Sequence, residues 1–257
     1  MDYVKRAGNE LGRGFEKMVF LEVSGDARTI GRCTGEALRD EIRQHVEEWP
    51  QVMKRPDLPG RLPAFLETMR TRLPEVLEEI EATAEGANLP VDVLYKLNFP
   101  GYPSPLDLGE GCTNVVFGGG PDGPIWGKNN DGNGRGRPVC ARLVRRDDAI
   151  PLITFTFCGM VATTDGMNAE GVAVGHSSVG SVFQQSAHHV PARLWAYECM
   201  MHSRSTAEFV RRMGSVPTRG KGYSHVCVDR DGVSCSIEAP CPVLQVRRPE
   251  NAAGHLH

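Results

Sequence analysis

With 257 residues, of which 40% are apolar and 24% charged, the chain is long enough to bury a sizeable core as one large domain or a domain with a helical extension. Its formal charge of -3 comes from interspersed acidic and basic residues, so it offers no broad field to nucleic acid or to an acidic membrane. The first residues, Met1 to Arg6, hold no apolar signal core, and the longest apolar stretch, Ala149 to Ala162, is interrupted by Thr154 and Thr156 and is too short for a bilayer. These features predict a soluble, cytoplasmic protein that binds neither nucleic acid nor membrane.

In chain order, Met18 to Val23 reads as a strand and Gly25-Asp26 as a turn. Thr29 to about Trp49 reads as a helix that stops before Pro50. Phe65, Met69, Leu73, Val76, Leu77 and Ile80 recur at helical spacing, and Pro74 predicts a kink or break inside that run. Gly86-Ala87-Asn88 closes the segment, Pro90-Val91-Asp92 opens a short helix, and Asn98 to Pro103 begins a loop. From Cys112 the pattern changes to strands and tight turns: 113–117, 125–128, 139–145, 152–160, 162–164 and 172–176. A long helix is predicted over roughly 191–213. A hairpin then joins Tyr223–Asp229 to Ser234–Glu238 through Asp229-Arg230-Asp231-Gly232. This order predicts an α+β fold of antiparallel sheets covered by helices, without βαβ winding.

Eight cysteines, at 33, 112, 140, 158, 199, 227, 235 and 241, form no CxxC pair, so reduced and mostly buried thiols are expected. Cys112 stands apart because Gly111-Cys112-Thr113 introduces a strand. If the chain is cut before Cys112, the residue carries its own base, since a free α-amine titrates near roughly 7.7 to 8.0 and the thiolate is the nucleophile. Gly111 suits such a cut, because a residue without Cβ accepts strained backbone and the approach of a thiol. Asp131, nineteen residues after the cysteine, follows the strand 125–128, and a hairpin would return it beside Cys112. The same stretch, Asn130 to Gly134, also reads as plain turn chemistry.

Other motifs are weaker. Asp165 to Gly171 reads as a turn between strands. Gly132 to Arg137 runs into Pro138 and not into a helix, so it is no dinucleotide fingerprint. Arg135 and Arg137 are either anion grips or, on the stronger reading, a solvated loop. His188-His189, His202, His255 and His257 lack partners at metal-ligand spacing, so no metal is expected. A papain-like pairing of Cys112 with His176 or His225 stays open as an alternative.

Taken together, several ordered motifs resemble the acyl-CoA:6-aminopenicillanic acid acyltransferase family (peptidase family C45) of N-terminal-nucleophile (Ntn) hydrolases. More distantly, they are similar to choloylglycine hydrolases and penicillin V acylases. The motifs are Leu21-Glu22-Val23-Ser24-Gly25, Ile30-Gly31-Arg32-Cys33-Thr34-Gly35, Glu79 to Ala87, Leu97-Asn98, Gly111-Cys112-Thr113, Gly127 to Asp131 and Gly166 to Val174.

The resemblance implies an αββα four-layer sandwich with antiparallel sheets. It further implies self-cleavage between Gly111 and Cys112, with 1–111 as a helical pro-segment that stays associated as a small subunit and 112–257 as the core. Cys112 would then form a thioester with a small-molecule acyl donor and pass the acyl group to an amine or to water. Asp131 would support the nucleophile, and Lys128 stands at a substrate-binding position where relatives carry arginine, which has a bidentate fork that lysine lacks. No cofactor is implied; acyl-CoA would be a substrate. Relatives continue into a His-Thr-Asn-His stretch whose asparagine stabilises the oxyanion, whereas this sequence stops at Gly254-His255-Leu256-His257. The expectation is therefore a fold incomplete at its C-terminus and lacking a donor typically worth about 100- to 1000-fold in turnover. Two alternatives are an inactive relative that only binds acylated small molecules and an unprocessed papain-like cysteine hydrolase.

Overall fold

The computed structural model describes residues 3–7, 18–99, 112–130, 137–162, 165–178, 181, 183–220, 223–249 and 255–256. Its N-terminal elements are β1 (Tyr3–Ala7), β2 (Met18–Gly25), α1 (Ala27–Ala37), α2 (Arg39–Glu48), α3 (Pro50–Met53), α4 (Leu62–Arg72), α5 (Pro74–Ala87) and α6 (Val91–Asn98). Strands follow: β3 (Cys112–Gly120), β4 (Gly123–Asn130), β5 (Val139–Arg146), β6 (Leu152–Phe157), β7 (Asp165–Asn168), β8 (Ala173–Ser178) and β9 (Val190–Pro191). The chain continues through α7 (Ala192–Met201), α8 (Thr206–Met213), β10 (Thr218–Arg219), β11 (Tyr223–Val228), β12 (Ser234–Ala239), β13 (Gln245–Arg247) and β14 (His255–Leu256). The fold is α+β, and among the described residues no helix is long and apolar enough to cross a membrane.

Local signals explain most boundaries. Asp26 caps α1 by accepting from the Thr29 N–H at 2.7 Å. Pro74 sits at the first position of α5, so the predicted break falls at Leu73, and Asn88 ends α5 in the left-handed region at φ 54°. The expected helix from Thr29 to Trp49 is instead two helices parted at Leu38, a buried residue with no breaker beside it, so packing sets that break. The expected helix over 191–213 is likewise two. Ser205 accepts from the Glu208 N–H at 3.2 Å while Glu208 accepts from the Arg204 N–H at 2.9 Å, which starts α8 afresh.

Two compact units divide the chain: Met1–Pro100 with Gly134–Thr163, and Gly101–Asn133 with Thr164–His257. This division differs from a cut at residue 111, because β5 and β6 belong with the N-terminal helices. In the first unit the strands run in the order β1-β2-β5-β6. One expectation is corrected here: β2 pairs with β5 in parallel, from Met18 opposite Val139 to Gly25 opposite Arg146. The whole run from α1 to β4 lies between these strands, so no local pattern announces the pairing. Leu21, Val23, Ile30, Leu38, Ile42 and Val144 form the core beneath this sheet.

Helices α1 and α5 cross with their backbones in close approach. A Cβ on Gly31, Gly35 or Gly86 would run into the backbone of Glu79, Thr83 or Arg32 respectively. Glu79 takes part in a buried ion pair, 2.5 Å from Arg142 on β5, and Arg142 also donates to the Val161 carbonyl at 2.7 Å. Asn98, at the end of α6, donates to the Leu94 and Gly159 carbonyls at 2.9 Å each and accepts from the Val161 N–H at 2.8 Å. These side chains satisfy buried backbone that strands and helices leave open.

The second unit stacks two sheets. One has the order β7-β8-β11-β12-β13 and the other β14-β3-β4; β9 and β10 form a separate short parallel pair. Because side chains alternate across a strand, Ala173, Gly175 and Ser177 share one face of β8 with Ser224, Val226 and Val228 opposite them on β11. That face packs on Val116 and Trp126 of the three-stranded sheet. The other face carries His176, Tyr223 and His225, and Phe209 of α8 meets the His225 ring edge-to-face. Asn168 ends β7 and ties its turn to α7, donating to the Met200 and Ser203 carbonyls at 2.7 Å each while accepting from the Glu170 and Val172 N–H groups.

Candidate active site around Cys112

Cys112 opens β3 because the run Cys112 to Phe117 pairs antiparallel with β4, with Cys112 opposite Asn130, Asn114 opposite Lys128 and Val116 opposite Trp126. Directly opposed residues share a face, so these six side chains line the side turned to the larger sheet. Cys112 is half-buried and in no disulfide, whereas the other seven cysteines are all buried. Its Sγ lies 3.9 Å from Asn130 Oδ1, a weak thiol contact at best. Its carbonyl accepts from Ser177 Oγ at 3.3 Å, and Ser177 Oγ in turn accepts from Asn114 Nδ2 at 2.7 Å. Asn114 thus commits amide donor capacity to Ser177, while its Oδ1, buried, makes no hydrogen bond among the described residues.

Lys128 is half-buried, and its Nζ donates to the Asn129 carbonyl at 3.1 Å. Gly111, Asp131 and Arg135 lie outside the described residues. Arg137 is half-buried, with its guanidinium 4.8 Å from the Trp49 ring centroid and 4.3 Å from that of Phe157. This corrects the solvated-loop reading for Arg137: a flat, weakly hydrated cation stacks where apolar rings are at hand.

Sequence reasoning missed a second set of groups, Asp165, His176 and His225. Asp165 Oδ1 accepts from both the backbone N–H of His176 and, at 2.9 Å, its ring Nδ1. Burial pushes the Asp165 carboxyl up, but the His176 charge, its hydrogen bonds and the nearby Lys128 outweigh that and hold it below the usual value. Part of the signal was present: a hairpin turning at Ala169-Glu170 pairs Gly166 with Val174 and so returns Asp165 to the stretch of β8 that holds His176. His225, directly opposite His176, is fully buried, and neither ring nitrogen has a hydrogen-bond partner among the described residues. Burial first, then the like charge of His176, lowers its pKa to about 3, against a smaller upward pull from Asp165.

Neither histidine is positioned as a base for the thiol. Ser177 and His176 are neighbours on β8, so the face that brings Ser177 to Cys112 turns His176 away, and His225 shares the His176 side. This tells against the papain-like alternative.

No protein-family model matches the chain, and no curated protein sequence matches it. Among solved structures, one similar chain is that of penicillin V acylase from Agrobacterium tumefaciens, with a TM-score of 0.35 and 14% identity, covering 62% of this chain and 46% of that one. The chain therefore spans less than half the length of that structure. A likeness of this size assigns no activity.

Proposed function

We propose that the protein is an N-terminal-cysteine acyltransferase or amidohydrolase of the Ntn type, which frees Cys112 by cutting its own chain after Gly111. The observation that carries the reading is the setting of Cys112: of eight thiols it alone is not buried, it stands at the first position of a strand, and its carbonyl is tied to the facing sheet. Supporting it are the sequence motifs shared with the acyl-CoA:6-aminopenicillanic acid acyltransferase family. In this reading the freed α-amine takes the thiol proton, Cys112 Sγ attacks the acyl carbonyl, and the donor's thiol or amine leaves with that proton. An amine or water then takes the acyl group from the thioester, and its proton returns to Sγ through the α-amine. Asp131 balances the charge at the nucleophile, and Lys128 meets an anionic group of the acyl donor as a point charge. The proposed architecture is the αββα sandwich, to which the second unit contributes its two stacked sheets and the helices on the larger one.

Intact mass and denaturing electrophoresis of the wild type and of Cys112→Ala test the reading. The wild type should split into two fragments at the Gly111–Cys112 bond, and Cys112→Ala should stay whole. A wild type that turns over an N-acyl substrate as one uncut chain would remove the mechanism.

A further inference from the structure

The tie on the Cys112 carbonyl is built from three strand residues. Asn114 stands two residues along β3 from Cys112 and therefore on the same face, fully buried. Gly175 stands two residues before Ser177 on β8 and makes room for it: a Cβ there would run into Asn114 Oδ1 and the Trp126 ring. The result is a directed relay in which Asn114 Nδ2–H donates to Ser177 Oγ at 2.7 Å and Ser177 Oγ–H donates to the Cys112 carbonyl at 3.3 Å. A hydroxyl that accepts one hydrogen bond is polarised to donate the next more strongly. Beside it lies an apolar cluster between the two sheets, made of Val116, Trp126, Ala173, Val226 and Val228, while Ser224, opposite Ser177, pairs with Ser236. A buried polar pair in such a setting costs stability unless every group is used, and Asn114 Oδ1 has no hydrogen-bond partner among the described residues. Sheet packing alone would favour apolar residues at both positions.

We infer that Ser177 and Asn114 are positioning residues for Cys112: they fix the plane of the Cys112–Thr113 peptide, and with it the direction in which Sγ and the main-chain nitrogen of Cys112 leave the strand. The inference rests on the reading of Cys112 as the nucleophile. Neither residue touches the reacting atoms in it. Gly175 acts one step further out, by admitting the Asn114 amide.

Ser177→Thr and Ser177→Val have nearly the same volume and differ in the hydroxyl. The rate of Cys112 alkylation by iodoacetamide, located by peptide mass mapping, is measured across roughly pH 6 to 9, where thiol and α-amine titrate. Melting temperatures are recorded alongside. Ser177→Thr should label within about twofold of wild type. Ser177→Val should label roughly 3- to 10-fold more slowly, with a displaced pH profile, at a temperature where the melting curves show both variants fully folded. Should the Ser177 variants fail to fold, Asn114→Gln, which keeps the amide donor, and Asn114→Leu, which does not, repeat the comparison from the other end of the relay. Equal rates and equal pH profiles within the folded pair overturn the positioning role while leaving the nucleophile reading intact. A wild type in which Cys112 does not label at all overturns both.

Discussion

Acidification should destabilise this protein through His225. The ring is buried without a hydrogen bond among the described residues, and its pKa is lowered from 6.5 to about 3, so the unfolded chain takes up a proton over a range in which the folded chain does not. A lowered histidine stabilises the fold above its unfolded pKa and loses that contribution as pH falls from 6.5 towards 3. Between pH 7.5 and pH 5.0 the loss is about 2 kcal/mol, rising towards roughly 5 kcal/mol once pH drops below 3. Asp165 does not confuse this window. Its carboxyl is held below 3.8 by the opposing effects already named, so its contribution disappears only at lower pH. The assay is urea denaturation at the two pH values, on a Cys112→Ala background so that self-cleavage cannot complicate unfolding, with and without His225→Leu. At pH 7.5, His225→Leu should be neutral or slightly stabilising, because two unsatisfied nitrogens are replaced by carbon. Between the pH values it should lose about 2 kcal/mol less than its parent. His189, also lowered by burial and by Arg219, is present in both proteins and cancels. Identical pH dependence in the two proteins would refute the argument.

Glu79→Ala leaves the Arg142 guanidinium buried without its carboxylate and should cost about 3 to 5 kcal/mol by denaturant titration. The double replacement Glu79→Leu with Arg142→Leu should recover most of that loss, and additive losses would contradict the pairing. Asn168→Ala frees two carbonyls of the α7 end and two N–H groups of its own turn. A loss of roughly 2 to 4 kcal/mol is expected, with faster amide exchange at Glu170 and Val172.

Much of the fold is legible because its signals are local. Pro74 places the break between α4 and α5, and Asp229-Arg230-Asp231-Gly232 turns β11 into β12 in the register expected of a hairpin. Two further local signals are the N-cap Ser205, which accepts from Glu208 and starts α8, and the turn from Asp165 to Gly171, read as a hairpin without the chemistry that Asp165 and His176 bring to it. The motif residues Gly31, Gly35, Gly86, Asn98 and Asn168 prove to hold the scaffold together: the glycines admit a close helix crossing and the asparagines satisfy buried backbone.

By itself the sequence determined the α+β composition, the hairpins, most of the helix ends and the distinctiveness of Cys112 among eight thiols, since each depends on residues close together in the chain. The tertiary structure alone decided the parallel pairing of β2 with β5, the Glu79–Arg142 pair and the relay from Asn114 through Ser177 to Cys112. Those partners lie far apart in sequence, and which faces meet is settled only when whole sheets and helices pack to bury their apolar sides.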